Sequence, residues 1–143
     1  MDAAEFFRTV VKPNYDQFVQ NPTDLRLLWN AIVSMNTVAE FLALHRLGYP
    51  PLYRENLNAE AKKLRDLSAL TNLKHLAETL KHVRKTSYRP RQVIGTTSKP
   101  PSITATSTSF EPDNPSTWEI DGHDPVKVVH DAFAMIKAFP ELQ

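Results

Sequence analysis

Residues Ser68 to Lys85 read SALTNLKHLAETLKHVRK. Ala69, Leu73, Leu76, Leu80 and Val83 recur at spacings of 4, 3, 4 and 3, which sets their side chains in one stripe along an α-helix. Such a stripe has to be covered by other elements, so the segment predicts a helix of about five turns inside a bundle. Lys74–His75 and Lys81–His82 repeat after seven residues and fall well away from the stripe. One element therefore carries both a core face and a stack of cationic or titratable side chains.

Upstream, Asp24 to about Leu47 has no glycine or proline and predicts a long helix. Leu25, Leu28, Ile32, Met35, Ala39 and Leu42 form one stripe, and Leu27, Ala31, Val38 and Phe41 widen it around the cylinder. A helix apolar over so much of its circumference is expected at the centre of the bundle. Thr23 or Asp24 is placed to cap its start, Gly48 to end it, and His45 and Arg46 to meet the helix dipole in its last turn. Asn36 and Glu40 lie one turn apart on its polar side, and Arg26 and Asn30 repeat that relation two turns earlier. Glu40 is expected to pair with a cation on the next helix, or with Asn36 to form part of a site.

The N-terminal arm places Phe6, Phe7, Val10 and Val11 at helical spacing and is expected to stop or kink at Pro13, which disfavours helical geometry in Lys12. Tyr15 and Phe18 add a second apolar patch. After Gly48, a rigid linker from Tyr49 to Leu52 leads to a short helix predicted from Ala59 to Leu67, capped by Asn56 or Asn58, with a bend near Asp66 to Ser68. Beyond Lys85 the prolines exclude a long helix. Gln92 to Thr97 and Ile103 to Phe110 are expected as a hairpin, with Thr117 to Asp121 as a third strand, although the Ser/Thr-rich run from Thr96 to Ser109 fits a flexible loop as well. Asp124 as N-cap, Pro125 at the first helical position and the stripe Val126, Val129, Phe133, Ile136 and Phe139 predict a terminal helix that ends before Pro140. The expected fold is mainly α: one domain over residues 1–143, a bundle of three to four main helices, with residues 86–122 as a small β hairpin or meander, or a flexible insertion, before the last helix.

Composition removes several function classes. The chain has no cysteine, so thiolate catalysis, disulfides and cysteine-ligated zinc are excluded. Its three glycines, Gly48, Gly95 and Gly122, cannot build a dinucleotide fingerprint or a phosphate loop. His75 and His82 lie about 10 Å apart along a helix, too far to chelate one ion easily, so neither metal nor cofactor is expected. MDAAEFFRTVVKPNYD has no basic region ahead of an apolar core, and no unbroken apolar run nears the ~18 residues of a membrane span. A cytoplasmic protein without membrane association is expected.

The net charge is +1, but its distribution is uneven. No acidic residue falls between Glu78 and Glu111, an interval that holds Lys81, Arg84, Lys85, Arg89, Arg91 and Lys99. Lys81, Arg84, Lys85, Arg89 and Arg91, with Tyr88 to stack on a base, are candidate RNA-backbone contacts; equally, they are cations that complement a helix end. If His82 approaches Glu40, the two supply the general base and orienting carboxylate that RNA cleavage through a 2′-hydroxyl requires. Asn36 beside Glu40 is a candidate binding residue.

The order FF..VV.P.Y..F..NPTD.R from Phe6 to Arg26, the Asn36 and Glu40 pair, LKH at Leu80 to His82 and the turn at Asp121 and Gly122 together resemble a group of uncharacterised small bacterial proteins. More distantly, the layout is similar to the HEPN superfamily, whose members include RNases, toxins and nucleotidyltransferase partners and are often dimeric. The resemblance implies a dimeric helical bundle. Catalytic members carry an Arg followed four to six residues later by His, whereas here Arg65 is further from His75 and Arg84 follows His82. The resemblance therefore implies a catalytically silent interaction or antitoxin-like module as readily as an RNase. The expected partners are a second copy of the chain through apolar surface left on the first two helices, another protein, or RNA on the Lys81 to Arg91 surface.

Overall fold

The computed structural model describes residues 1–48, 54–85, 103–105, 114–120 and 122–143, with backbone alone at 82–85, 103–105 and 120. Its elements are α1 (Ala3–Phe6), a π-helical turn (Phe7–Val11), α2 (Lys12–Gln20), α3 (Leu25–Leu47), α4 (Arg54–Arg65), α5 (Ser68–Lys85), β1 (Ile103–Ala105), a 3-10 turn (Pro115–Thr117), β2 (Trp118–Ile120), α6 (Pro125–Lys137) and a final 3-10 turn (Pro140–Leu142). The fold is a mainly α helical bundle.

α3 is its axis. Leu27, Leu28, Ala31, Ile32, Met35, Val38, Ala39, Leu42 and Ala43 are all buried, and α1, α2, α4, α5 and α6 pack around them. Full burial of a Leu, Ile or Met side chain is worth about 1.5–3 kcal/mol, so this helix carries a large share of the core. Asp24 caps it by accepting from the backbone N–H groups of Arg26 and Leu27, and Gly48 ends it at φ 79°, a left-handed conformation that favours glycine. By length and composition α3 would also suffice to cross a membrane, yet 56% of its most apolar window is buried inside the bundle.

The N-terminal arm corrects the expectation of a stop at Pro13. Pro13 has no N–H to give to the Thr9 carbonyl four residues back, and its ring crowds that carbonyl. Rather than stopping, the helix widens: Lys12 stays helical at φ −60° and ψ −47° and donates to the Phe7 carbonyl, five residues back. α1, the π turn and α2 thus run on as one arm, with Ala3, Phe7, Val11 and Phe18 buried.

α4 starts at Arg54, earlier than the predicted Ala59, so Asn56 and Asn58 lie within it and cap nothing. The bend after it falls at Asp66 and Leu67, as expected. On α5 the buried stripe is Leu70, Leu73, Leu76 and Leu80, joined by Thr79, while Ala69 is half-buried. Leu70 takes the place predicted for Ala69 because the larger side chain, one residue on, reaches the same face. The β pairing is antiparallel between β1 and β2, with Ile103 opposite Ile120 and Ala105 opposite Trp118. Pairing is therefore between the second and third predicted strands; Gln92 to Thr97 and the Tyr49 to Leu52 linker lie outside the described residues. Trp118 is buried, and β2 packs on α6. Asp124 caps α6 through the Val126 N–H, with Pro125 at its first position.

Candidate functional site

The two polar residues singled out on α3 meet α4 through one side chain. Arg65 donates through Nη2 to Glu40 Oε1 at 2.8 Å and to the Asn36 carbonyl at 3.2 Å. The start of α5 joins in, since the Thr71 hydroxyl donates to the Arg65 carbonyl at 3.2 Å. Arg65 keeps 22% of its side chain exposed and Glu40 53%. Glu40 thus has its cation on the next helix. The registers of α3 and α4 bring this about, and the sequence alone did not single out Arg65 as that cation.

On α5, Lys81 is exposed one turn before the helix ends. His82, Arg84 and Lys85 occupy the last turn by their backbone, with their side chains outside the described residues, as are Arg89 and Arg91 altogether. The proposed approach of His82 to Glu40 therefore lies outside the described residues as well. Among those residues, no group of three or more His, Asp or Glu side chains is placed to hold a metal ion.

Two further clusters were not visible in the sequence. Arg46, at the end of α3, donates through Nε to Glu141 at 2.8 Å, pairs with Glu60 of α4 at 3.5 Å and lies 5.8 Å from the Phe139 ring centroid. Lys63 shares Glu60 at 3.2 Å. The Glu141 carboxyl is held below its ordinary range, first by its own backbone N–H and then by Arg46, against an opposing push from burial. This cluster fastens the C-terminal turn to α3 and α4.

The second cluster joins α2 to α6. Tyr15 stacks on Phe133 with ring centroids 3.7 Å apart and planes 3° apart, and its hydroxyl lies 2.5 Å from His130 Nδ1. Phe133 stacks in turn on Phe7 at 5.8 Å. Burial raises the Tyr15 pKa above its ordinary value, and the nearby Asp16 charge adds to the effect. More than a hundred residues separate Tyr15 from its partners, so no local signal could have paired them.

The outer face of α3 is the remaining feature. Val33 is 42% exposed and Leu47 43% exposed, while the opposite side of the same helix is fully buried. No family model matches the chain, and no curated protein or solved structure matches it either.

Proposed function

We propose that this protein is a catalytically silent helical interaction module that acts in the cytoplasm as a homodimer. The observation that carries the reading is the outer face of α3. A helix whose other side is the centre of the core presents Val33 and Leu47 to solvent at 42% and 43% exposure among Arg26, Asn30, Asn36 and Glu40, and a rigid helix face of mixed apolar and charged side chains suits association with a second helix. The spacing of Arg and His supports the silent part of the reading, because Arg65 is too far from His75 and Arg84 follows His82, unlike the order that catalytic HEPN members carry. The resemblance to dimeric HEPN-like bundles is consistent with it. Light scattering at tens of micromolar tests it: a mass twice the 16.3 kDa of the chain is expected, and a monomer overturns it.

A second reading, RNA-backbone binding from Lys81 to Arg91, is favoured by one observation. α5 stays helical to Lys85, which sets position 85 one turn after the exposed Lys81 on the same side. Anisotropy with labelled single-stranded RNA tests it, read with a denaturing gel. If about four phosphates are contacted, affinity falls ~50-fold between 50 and 200 mM salt, and Lys81→Ala weakens it. Cleavage lost in His82→Ala would revive the catalytic role of that residue; no binding at the lower salt removes the RNA reading.

A further inference from the structure

We infer that the second copy docks antiparallel on α3 about a two-fold axis at Val33, with Arg26 of each chain against Glu40 of the other. This rests on the dimer reading above and specifies its geometry. The argument is the order of residues along the outer face. Going out from Val33, Asn30 and Asn36 lie three residues to either side, and Arg26 and Glu40 seven residues to either side. At 100° per residue all five fall within about 60° of the Val33 direction, so they share one face. Arg26 and Glu40 each lie about 10.5 Å from Val33 along the axis.

A two-fold antiparallel pairing exchanges equal distances on the two sides. It sets Val33 against Val33, Asn30 against Asn36, and the cation Arg26 against the anion Glu40, twice. A face whose charges change sign on reflection about its own midpoint is complementary to itself, which is what an isologous contact demands. Asparagine amides each carry a donor and an acceptor and match one another in either order. The exposures agree with this use: Arg26 is 73% exposed and held by Asp24 only at 3.6 Å, and Glu40 remains 53% exposed beside Arg65. The neighbouring register, with its axis between Asn36 and Thr37, sets Arg26 against Leu47 and Val33 against Glu40, and so leaves both charges facing apolar side chains.

The test uses the absence of cysteine in the chain. Val33→Cys under mild oxidation is expected to give a covalent dimer, since residues at the axis come within disulfide reach. Thr37→Cys is expected to stay uncrosslinked, because its two copies are offset along the axis by about 12 Å. In parallel, Arg26→Glu and Glu40→Arg are each expected to weaken dimerisation about tenfold, since each places like charges together twice. An equimolar mixture of the two variants restores opposite charges at both contacts and is expected to recover wild-type association, which loss of the Arg65 tie alone would not produce. A wild-type monomer would end the dimer reading and this one with it. A wild-type dimer that crosslinks through Thr37→Cys, or through neither cysteine, or whose variants show no recovery on mixing, would overturn this docking while leaving the dimer intact.

Discussion

Arg65 reaches two turns of α3 with a single nitrogen, donating to the Glu40 carboxylate at 2.8 Å and to the Asn36 carbonyl at 3.2 Å. The contact ties α4 to α3 in the register their packing sets. With Glu40 half in solvent, screening keeps its worth small, so Glu40→Gln is expected to cost about 0.5 kcal/mol and Arg65→Met about 1 kcal/mol. A double-mutant cycle by urea denaturation checks this; a coupling of several kcal/mol would mean that the pair is far better shielded than its exposure indicates.

Tyr15 separates stacking from hydrogen bonding. Tyr15→Phe keeps the ring on Phe133 and removes the bond to His130, at an expected cost of about 1 kcal/mol, whereas Tyr15→Ala is expected to cost about 3 kcal/mol or more. The raised pKa adds a pH signature. A group whose folded pKa lies above its unfolded value stabilises the fold fully below the unfolded value, here 10.0, and loses that contribution as pH rises through the folded value. The stability difference between wild type and Tyr15→Phe should therefore narrow above pH 10. A difference that stays constant would deny the coupling.

Thr79 is fully buried on α5, and among the described residues its hydroxyl has no hydrogen-bond partner. Ser34, the other buried polar side chain among the described residues, donates to the Ala31 carbonyl at 3.0 Å. An unsatisfied buried hydroxyl costs about 1–3 kcal/mol, and valine has the same shape without it. Thr79→Val is expected to stabilise the protein by about 1 kcal/mol, or roughly 2–4 °C in Tm for a chain of this size. Destabilisation in calorimetry would mean that the hydroxyl is satisfied in solution.

Glu141 governs the acid side. Its carboxyl titrates below the ordinary 4.5 because its own backbone N–H and Arg46 favour the charged form. A lowered folded pKa gives stability that is present above 4.5 and lost as pH falls through the folded value. Glu141→Gln should thus lose stability at neutral pH and converge on wild type in strong acid, as read by urea midpoints. Parallel curves would contradict this.

Sequence patterns anticipated what local physics decides. Asp24 and Asp124 cap the helices expected of them, Gly48 ends α3, and the buried face of α3 follows the apolar period almost residue by residue. Errors arose where a local rule met a tertiary contact. Proline disfavours helical geometry in the residue before it, which predicts a stop or kink at Pro13, yet Lys12 stays helical by donating five residues back. Spacing counts residues while packing counts volume, so Leu70 is buried where Ala69 is half-buried. The Glu40 cation was expected from the next helix, but its identity needed the relative register of α3 and α4, and the meeting of Arg46 with Glu141 needed the path of the whole chain. Such contacts are set by assembly, and no single segment carries their signal.

The widened turn at Phe7–Val11 has a bearing on how this chain can change. Ala3, Phe7 and Val11 are spaced by four, a step that drifts about 40° in a regular α-helix, yet all three are buried. The wide turn takes back the drift and hides one surplus residue in the arm. A helix that stores slack in this way can shed one position near the exposed Thr9 and tighten to regular pitch, leaving the residues before and after it in phase. Length variation, ordinarily confined to loops, is thus open to this protein inside an element of its core.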